Sequence, residues 1–154
     1  MELKLIQSFQ VNHDKLKRGM YISRIDGDIV TYDLRTKIPN AGDYLENAAL
    51  HTIEHLFATY VRSSDMSDKI IYFGPMGCRT GFYFITRGME NAQAVDLVKK
   101  AFAFIKDFDG KIPGAERWEC GNYLDHDLAG AKKEAGSYHT VLEQVSVDTL
   151  KYEV

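Results

Sequence analysis

YLENAALHTIEHLFATYVR, residues 44–62, carries apolar side chains at Leu45, Ala48, Ala49, Ile53, Leu56, Phe57, Tyr60 and Val61. That spacing predicts one long helix from Tyr44 to Arg62, with Asp43 placed to cap its start. In the middle of it stands His51-Thr52-Ile53-Glu54-His55. Positions i and i+4 share a helix face, so both imidazoles can reach one cation while Glu54 stands beside it to carry protons. The order H-x-x-E-H is the reverse of the H-E-x-x-H of the common zinc peptidases. Two stray histidines on a solvated face are the plainer explanation, and the downstream sequence weighs against it.

Working outward, residues 17–36 hold short β-rich runs, Met20-Tyr21-Ile22 and Ile29-Val30-Thr31-Tyr32-Asp33-Leu34, broken at Asp26-Gly27-Asp28. They predict a hairpin. Beyond the histidine helix come Ile70-Ile71-Tyr72-Phe73 and, after Gly74-Pro75-Met76-Gly77, a run from Thr80 to Thr86. Two further strands are expected, with Cys78 near their junction. Residues 91–107 are too densely apolar for a surface helix and should pack on the sheet, and Pro113-Gly114 ends that region. A third helix is expected from about Asp125 to Leu142, weakened by Gly130 and Gly136. Locally paired strands with helices between and after them predict an α+β fold, an antiparallel sheet of about four strands packed with helices.

A chain of 154 residues, 45% hydrophobic, is long enough for one well-buried core and short for two, so residues 1–154 are expected to form a single catalytic domain. A net charge of −3 offers no basic field for nucleic acid or anionic membrane. No apolar run between Met1 and His13 has signal-peptide length, and no segment approaches the roughly twenty apolar residues of a membrane span. A cytoplasmic protein is expected. There the two cysteines, Cys78 and Cys120, are more often free, catalytic or metal-bound than paired in a disulfide.

A catalytic metal usually takes three protein ligands and leaves a position open, so His51 and His55 need one more. Cys120, in Glu119-Cys120-Gly121, is the best candidate, because a thiolate is a better ligand than the scattered His13, His126 or His139 and Gly121 would let the backbone come close. The alternative for Cys120 is a small buried hydrophobe. Cys78 lies between Gly77 and Gly81, next to Arg79, where a thiol is exposed and near positive charge. It is either a nucleophile or general acid/base, or an ordinary turn residue. Glu54 fits a proton shuttle beside the ion rather than a further ligand.

These residues resemble the S-ribosylhomocysteine lyase (LuxS) family. The motifs are Ser8-Phe9 with His13, Asp33-Leu34-Arg35 with Pro39-Asn40, HTIEHLFA from His51, PMGCRTGFY from Pro75, and Cys120-Gly121 followed by His126, Leu128 and Ala131-Lys132. The resemblance implies an α+β homodimer with two active sites at the subunit interface and one divalent metal per subunit, iron(II) natively, with zinc or cobalt as substitutes. It implies cleavage of S-ribosylhomocysteine to homocysteine and 4,5-dihydroxy-2,3-pentanedione, the precursor of autoinducer-2. Carried across, His51, His55 and Cys120 are the ligands, and Glu54 and Cys78 are the acid/base pair. Ser8, His13 and Arg35 line the ribose pocket, with Ser8 reaching in from the other subunit.

The chain departs from the family where Tyr72-Phe73-Gly74 replaces Asp-Ile-Ser, where Thr36-Lys37 follows Arg35 in place of Phe-Cys, and at Asn12, where the family has an acidic residue. The alternative reading is a metallohydrolase. It would be inverzincin-like, with Glu134 as a distal ligand, or deformylase-like, and neither form has an evident need for Cys78.

Overall fold

In the computed structural model, which describes residues 1–153, the expected hairpin forms as β1 (Gly19–Asp26) and β2 (Ile29–Arg35). Gly27 takes a φ of 63° at the first of two loop positions, a conformation that glycine adopts without Cβ strain and that matches the twist of the paired strands. Downstream lie β3 (Ile70–Pro75) and β4 (Gly81–Arg87), joined by the turn that carries Cys78. The sheet order is β1-β2-β4-β3, and every pairing is antiparallel.

Register decides which side chains face the helices. Tyr32 of β2 stands opposite Phe84 of β4, and Leu34 opposite Phe82, and all four are fully buried. With period 2, the alternate positions Tyr21, Asp33 and Tyr83 fall on the other face. The short helix α1 (Gln7–Gln10) is tied to β1 by the Gln7 side-chain amide, which donates to the Ser23 carbonyl at 3.1 Å.

Helices α2 (Asn47–Arg62), α3 (Asn91–Asp107) and α4 (Leu128–Leu142) form the second layer. Phe57 of α2 joins the layers, stacked on Phe73 at 3.9 Å between centroids and edge-on to Phe84 at 5.1 Å. Aromatic pairs of this kind add about 0.5–1.5 kcal/mol beyond the area they bury.

Two helix starts differ from the pattern in the sequence. Helix α2 begins at Asn47 rather than Tyr44, because the Leu45 N–H donates to the Arg79 carbonyl at 2.9 Å and holds the preceding residues extended against the Cys78 turn. Asp43 caps nothing and pairs instead with Lys37 at 3.1 Å. Helix α4 starts at Leu128 rather than Asp125, since Asp127 takes the cap and its carboxylate accepts from the Gly130 N–H at 2.9 Å. A Cβ on Gly130 would press on the Asp127 carboxylate and on Ala49 of α2, so this glycine permits the close α2–α4 approach. Helix α3 spans the expected 91–107, and among the described residues no helix is long and apolar enough to cross a membrane.

Candidate metal centre and adjoining cavity

His51 and His55 project from one face of α2, as their four-residue spacing requires. Each ring is fixed by a carbonyl. His51 Nδ1 lies 2.8 Å from the Asp125 carbonyl oxygen, and His55 Nδ1 lies 2.8 Å from that of Pro113. A carbonyl only accepts, so both Nδ1 atoms carry the proton and both Nε2 atoms are left bare. Gly114, at φ 72°, is what lets the second carbonyl approach: a Cβ there would stand 3.1 Å from His55 Nδ1.

Cys120 Sγ completes a triangle, 3.5 Å from His51 Nε2 and 4.0 Å from His55 Nε2. Ligands about 2.0–2.3 Å from a shared tetrahedral ion stand roughly 3.3–3.8 Å apart, so this spacing fits one divalent cation. The Asn122 N–H donates to the Cys120 sulfur at 3.5 Å. The two imidazoles cross at 88°, with ring centroids 4.6 Å apart. A Cβ on Gly121 would meet nothing within 4 Å, so the close backbone approach expected of this glycine is not needed.

A fourth group stands here that spacing in the sequence left among the scattered histidines. His126 belongs to the same cluster, with the four ligand-type atoms all within 4.8 Å of one another. Its ring stacks on that of His51 at 4.0 Å and 22°. Burial lowers its pKa and the neighbouring His51 and His55 lower it further, against a smaller opposing pull from Asp125. The D-H-D run before α4 gave no periodic signal of this, because the loop brings it back across 74 residues of chain to Thr52, whose Oγ1 lies 3.0 Å from His126 Nδ1. Glu54 is half-buried next to His55 and makes no hydrogen bond or ion pair among the described residues. Glu134 pairs with Lys37 at 3.0 Å and stands outside the cluster, which removes the distal ligand an inverzincin-like site would need.

The remaining expected site residues share a second place. Ser8, His13, Arg35 and Cys78 all line one cavity of about 390 Å³ together with Met76 and Tyr83, and none of the four cluster residues lines it. Ser8 therefore lies on the same side as Cys78 in its own chain, where its hydroxyl is hydrogen-bonded to Tyr83. Both cysteines are free thiols. The cation near Cys78 is Arg35 rather than Arg79, whose guanidinium turns away to the Leu45 carbonyl and the Tyr44 ring.

Arg35 is buried and held by three side-chain hydrogen bonds. Its Nε and Nη2 donate to the two Asp33 carboxylate oxygens at 3.1 and 2.7 Å, and its Nη1 donates to Thr80 Oγ1 at 2.8 Å. Burial alone would lower the guanidinium pKa, but Asp33 outweighs it and the net direction is up. Thr80 Oγ1, already an acceptor, lies 3.1 Å from Cys78 Sγ and is free to direct its own proton there. Tyr152, from the carboxyl-terminal segment, donates to Asp33 at 2.7 Å. His13 Nδ1 is committed to the Val11 carbonyl at 2.8 Å, which leaves Nε2 for the cavity.

Comparison with known proteins places these residues in context. The sequence profile of the S-ribosylhomocysteinase (LuxS) family matches residues 6–149. An S-ribosylhomocysteine lyase of Phocaeicola vulgatus is 48% identical, over 97% of this chain and 98% of the relative. That of Borreliella burgdorferi is 47% identical, and that of Porphyromonas gingivalis 45%, each over 97% of this chain and 99% of the relative.

Proposed function

The chain belongs to the S-ribosylhomocysteinase (LuxS) family, and from that membership we infer that it is a carbon–sulfur lyase that cleaves S-ribosylhomocysteine. The products are homocysteine and 4,5-dihydroxy-2,3-pentanedione, the autoinducer-2 precursor, which gives the enzyme its link to quorum sensing. The observation that carries the reading is the convergence of two bare imidazole nitrogens and one cysteine sulfur, in a chain matched to the family almost end to end.

The proposed chemistry divides among the residues. The substrate carbonyl must move from carbon 1 to carbon 2 and then to carbon 3. Proton removal at carbon 4 then breaks the carbon 5–sulfur bond and releases homocysteine. A divalent ion held by His51, His55 and Cys120, iron(II) natively and zinc or cobalt in substitution, would supply Lewis-acid polarisation of the sugar oxygens. Cys78 and Glu54 take and return the carbon-bound protons. Thr80 aims the Cys78 sulfur, and Arg35, held rigid by Asp33, donates to the substrate rim with Ser8 and His13.

We further propose a cytoplasmic homodimer of single-domain subunits, with no nucleic acid or membrane partner. Two observations support it. The Cys78 cavity contains none of the cluster residues, so a substrate that needs both requires the two half-sites to meet across an interface. The amino-terminal segment and sheet also leave Leu5, Ile6, Phe9 and Tyr72 largely exposed.

The test is incubation of metal-loaded protein with S-ribosylhomocysteine, reading thiol release. Thiol appearing at a rate set by metal content supports the assignment. Turnover of peptide or formyl-amide substrates without thiol release would transfer it to a hydrolase.

A further inference from the structure

We propose that His126 Nε2 is the hydrogen-bond acceptor for the O–H group occupying the open ligand position beside His51, His55 and Cys120, orienting that oxygen without itself binding the ion. The inference rests on those three residues being the ligands.

Three observations carry it. An imidazole binds an ion lying in its own ring plane. His51 and His55 cross at 88°, and their planes meet. His126 is stacked on His51 at 22° with centroids 4.0 Å apart, so its plane runs alongside that of His51 and the two do not converge within the cluster. The His126 ring is thereby not aimed at the ion that His51 would hold, although its ligand-type nitrogen lies within 4.8 Å of those of the other three.

The tautomer is fixed from the far side of the ring. Thr52 Oγ1 donates to the Ala48 carbonyl at 3.0 Å and accepts the Asp127 N–H at 2.9 Å. Its one proton is thus spent, and the 3.0 Å contact with His126 Nδ1 needs the proton on the imidazole. Nε2 is then a bare lone pair, which a neighbouring cation favours over an N–H. It is also a buried polar atom with no partner among the described residues. A buried acceptor without a donor is destabilising, and a water at rest or a sugar hydroxyl in turnover would relieve it. His126 is therefore a substrate-contacting residue, and Thr52 a positioning residue behind it.

The experiment uses zinc-loaded, 15N-labelled protein and two-bond 15N–1H correlation, with His126→Phe identifying the ring. The expected spectrum shows neutral His126 protonated at Nδ1, and a proton on Nε2 would overturn the proposal. His126→Phe, which keeps an aromatic stack, should retain one metal per chain and the thiolate-to-cobalt absorption of the cobalt form, yet lose roughly ten- to hundredfold in kcat. His126→Gln, with an amide oxygen near the Nε2 position, should recover part of that loss. Thr52→Val should fall with His126→Phe while Thr52→Ser stays near the parent, which keeps the test open if His126→Phe folds poorly. Loss of metal from His126→Phe would make it a ligand, and unchanged kcat would leave it no role; either result overturns the inference. Retention of metal by Cys120→Ala would instead overturn the ligand assignment beneath it.

Discussion

Arg35 and Asp33, two residues apart on β2, form a two-pronged ion pair at 3.1 and 2.7 Å, with side chains only 4% and 2% exposed. A guanidinium held this way cannot swing, and the lining of the Cys78 cavity inherits that rigidity through Thr80. Removing one partner leaves the other charged and buried. Asp33→Ala is expected to cost about 3–5 kcal/mol in urea unfolding, while Tyr152→Phe, which takes one hydrogen bond from the same carboxylate, should cost about 1–3. Equal losses in the two variants would mean the pair contributes nothing beyond the tyrosine contact.

The ligand assignment predicts that Cys120→Ala and His51→Ala each purify with far less than one metal per chain. Stripping the parent with a chelator should lower its Tm, because an ion bound only by the folded state stabilises that state in proportion to ln(1 + [metal]/Kd). Metal analysis and a thermal melt check both.

Cys78→Ala should keep metal and fold but lose homocysteine release by more than the hundred- to ten-thousandfold expected of one acid/base group, since several proton transfers depend on it. Glu54→Gln should lose release as well while keeping metal. A near-parent rate in Cys78→Ala would discard the proton-transfer scheme even with the metal centre intact.

If the half-sites meet across a dimer interface, sedimentation should give a species near twice 17.5 kDa. Mixing inactive Cys78→Ala and His51→Ala subunits should then restore about a quarter of parent activity, one whole site in half of the randomly paired dimers. No recovery after verified subunit exchange would put both halves of the site in one chain.

Gly114→Ala combines a left-handed φ of 72° with a Cβ 3.1 Å from His55 Nδ1. It should weaken metal binding more than Gly27→Ala, whose φ is similar but whose Cβ meets nothing. Competition with a chelator dye would rank them.

Local periodicity in the sequence determined the hairpin around Gly27, the three helices and the i, i+4 placement of His51 and His55, because such patterns depend only on neighbours along the chain. Residue chemistry singled out Cys120, Cys78 and Glu54, and the family resemblance, carried by short motifs, fixed their roles and added the Ser8, His13 and Arg35 pocket. Tertiary structure alone decided where those motifs meet. The start of α2 moved to Asn47 because a backbone bond from Leu45 to Arg79 outcompetes a cap at Asp43. His126 entered the cluster because Thr52 and the Asp127 cap turn its loop back onto α2. Ser8 joined Cys78 within one chain because the amino-terminal segment lies against the sheet. Each of these outcomes is a contact between residues far apart in sequence, and which one forms depends on how helix and sheet faces pack, which no spacing along the chain encodes.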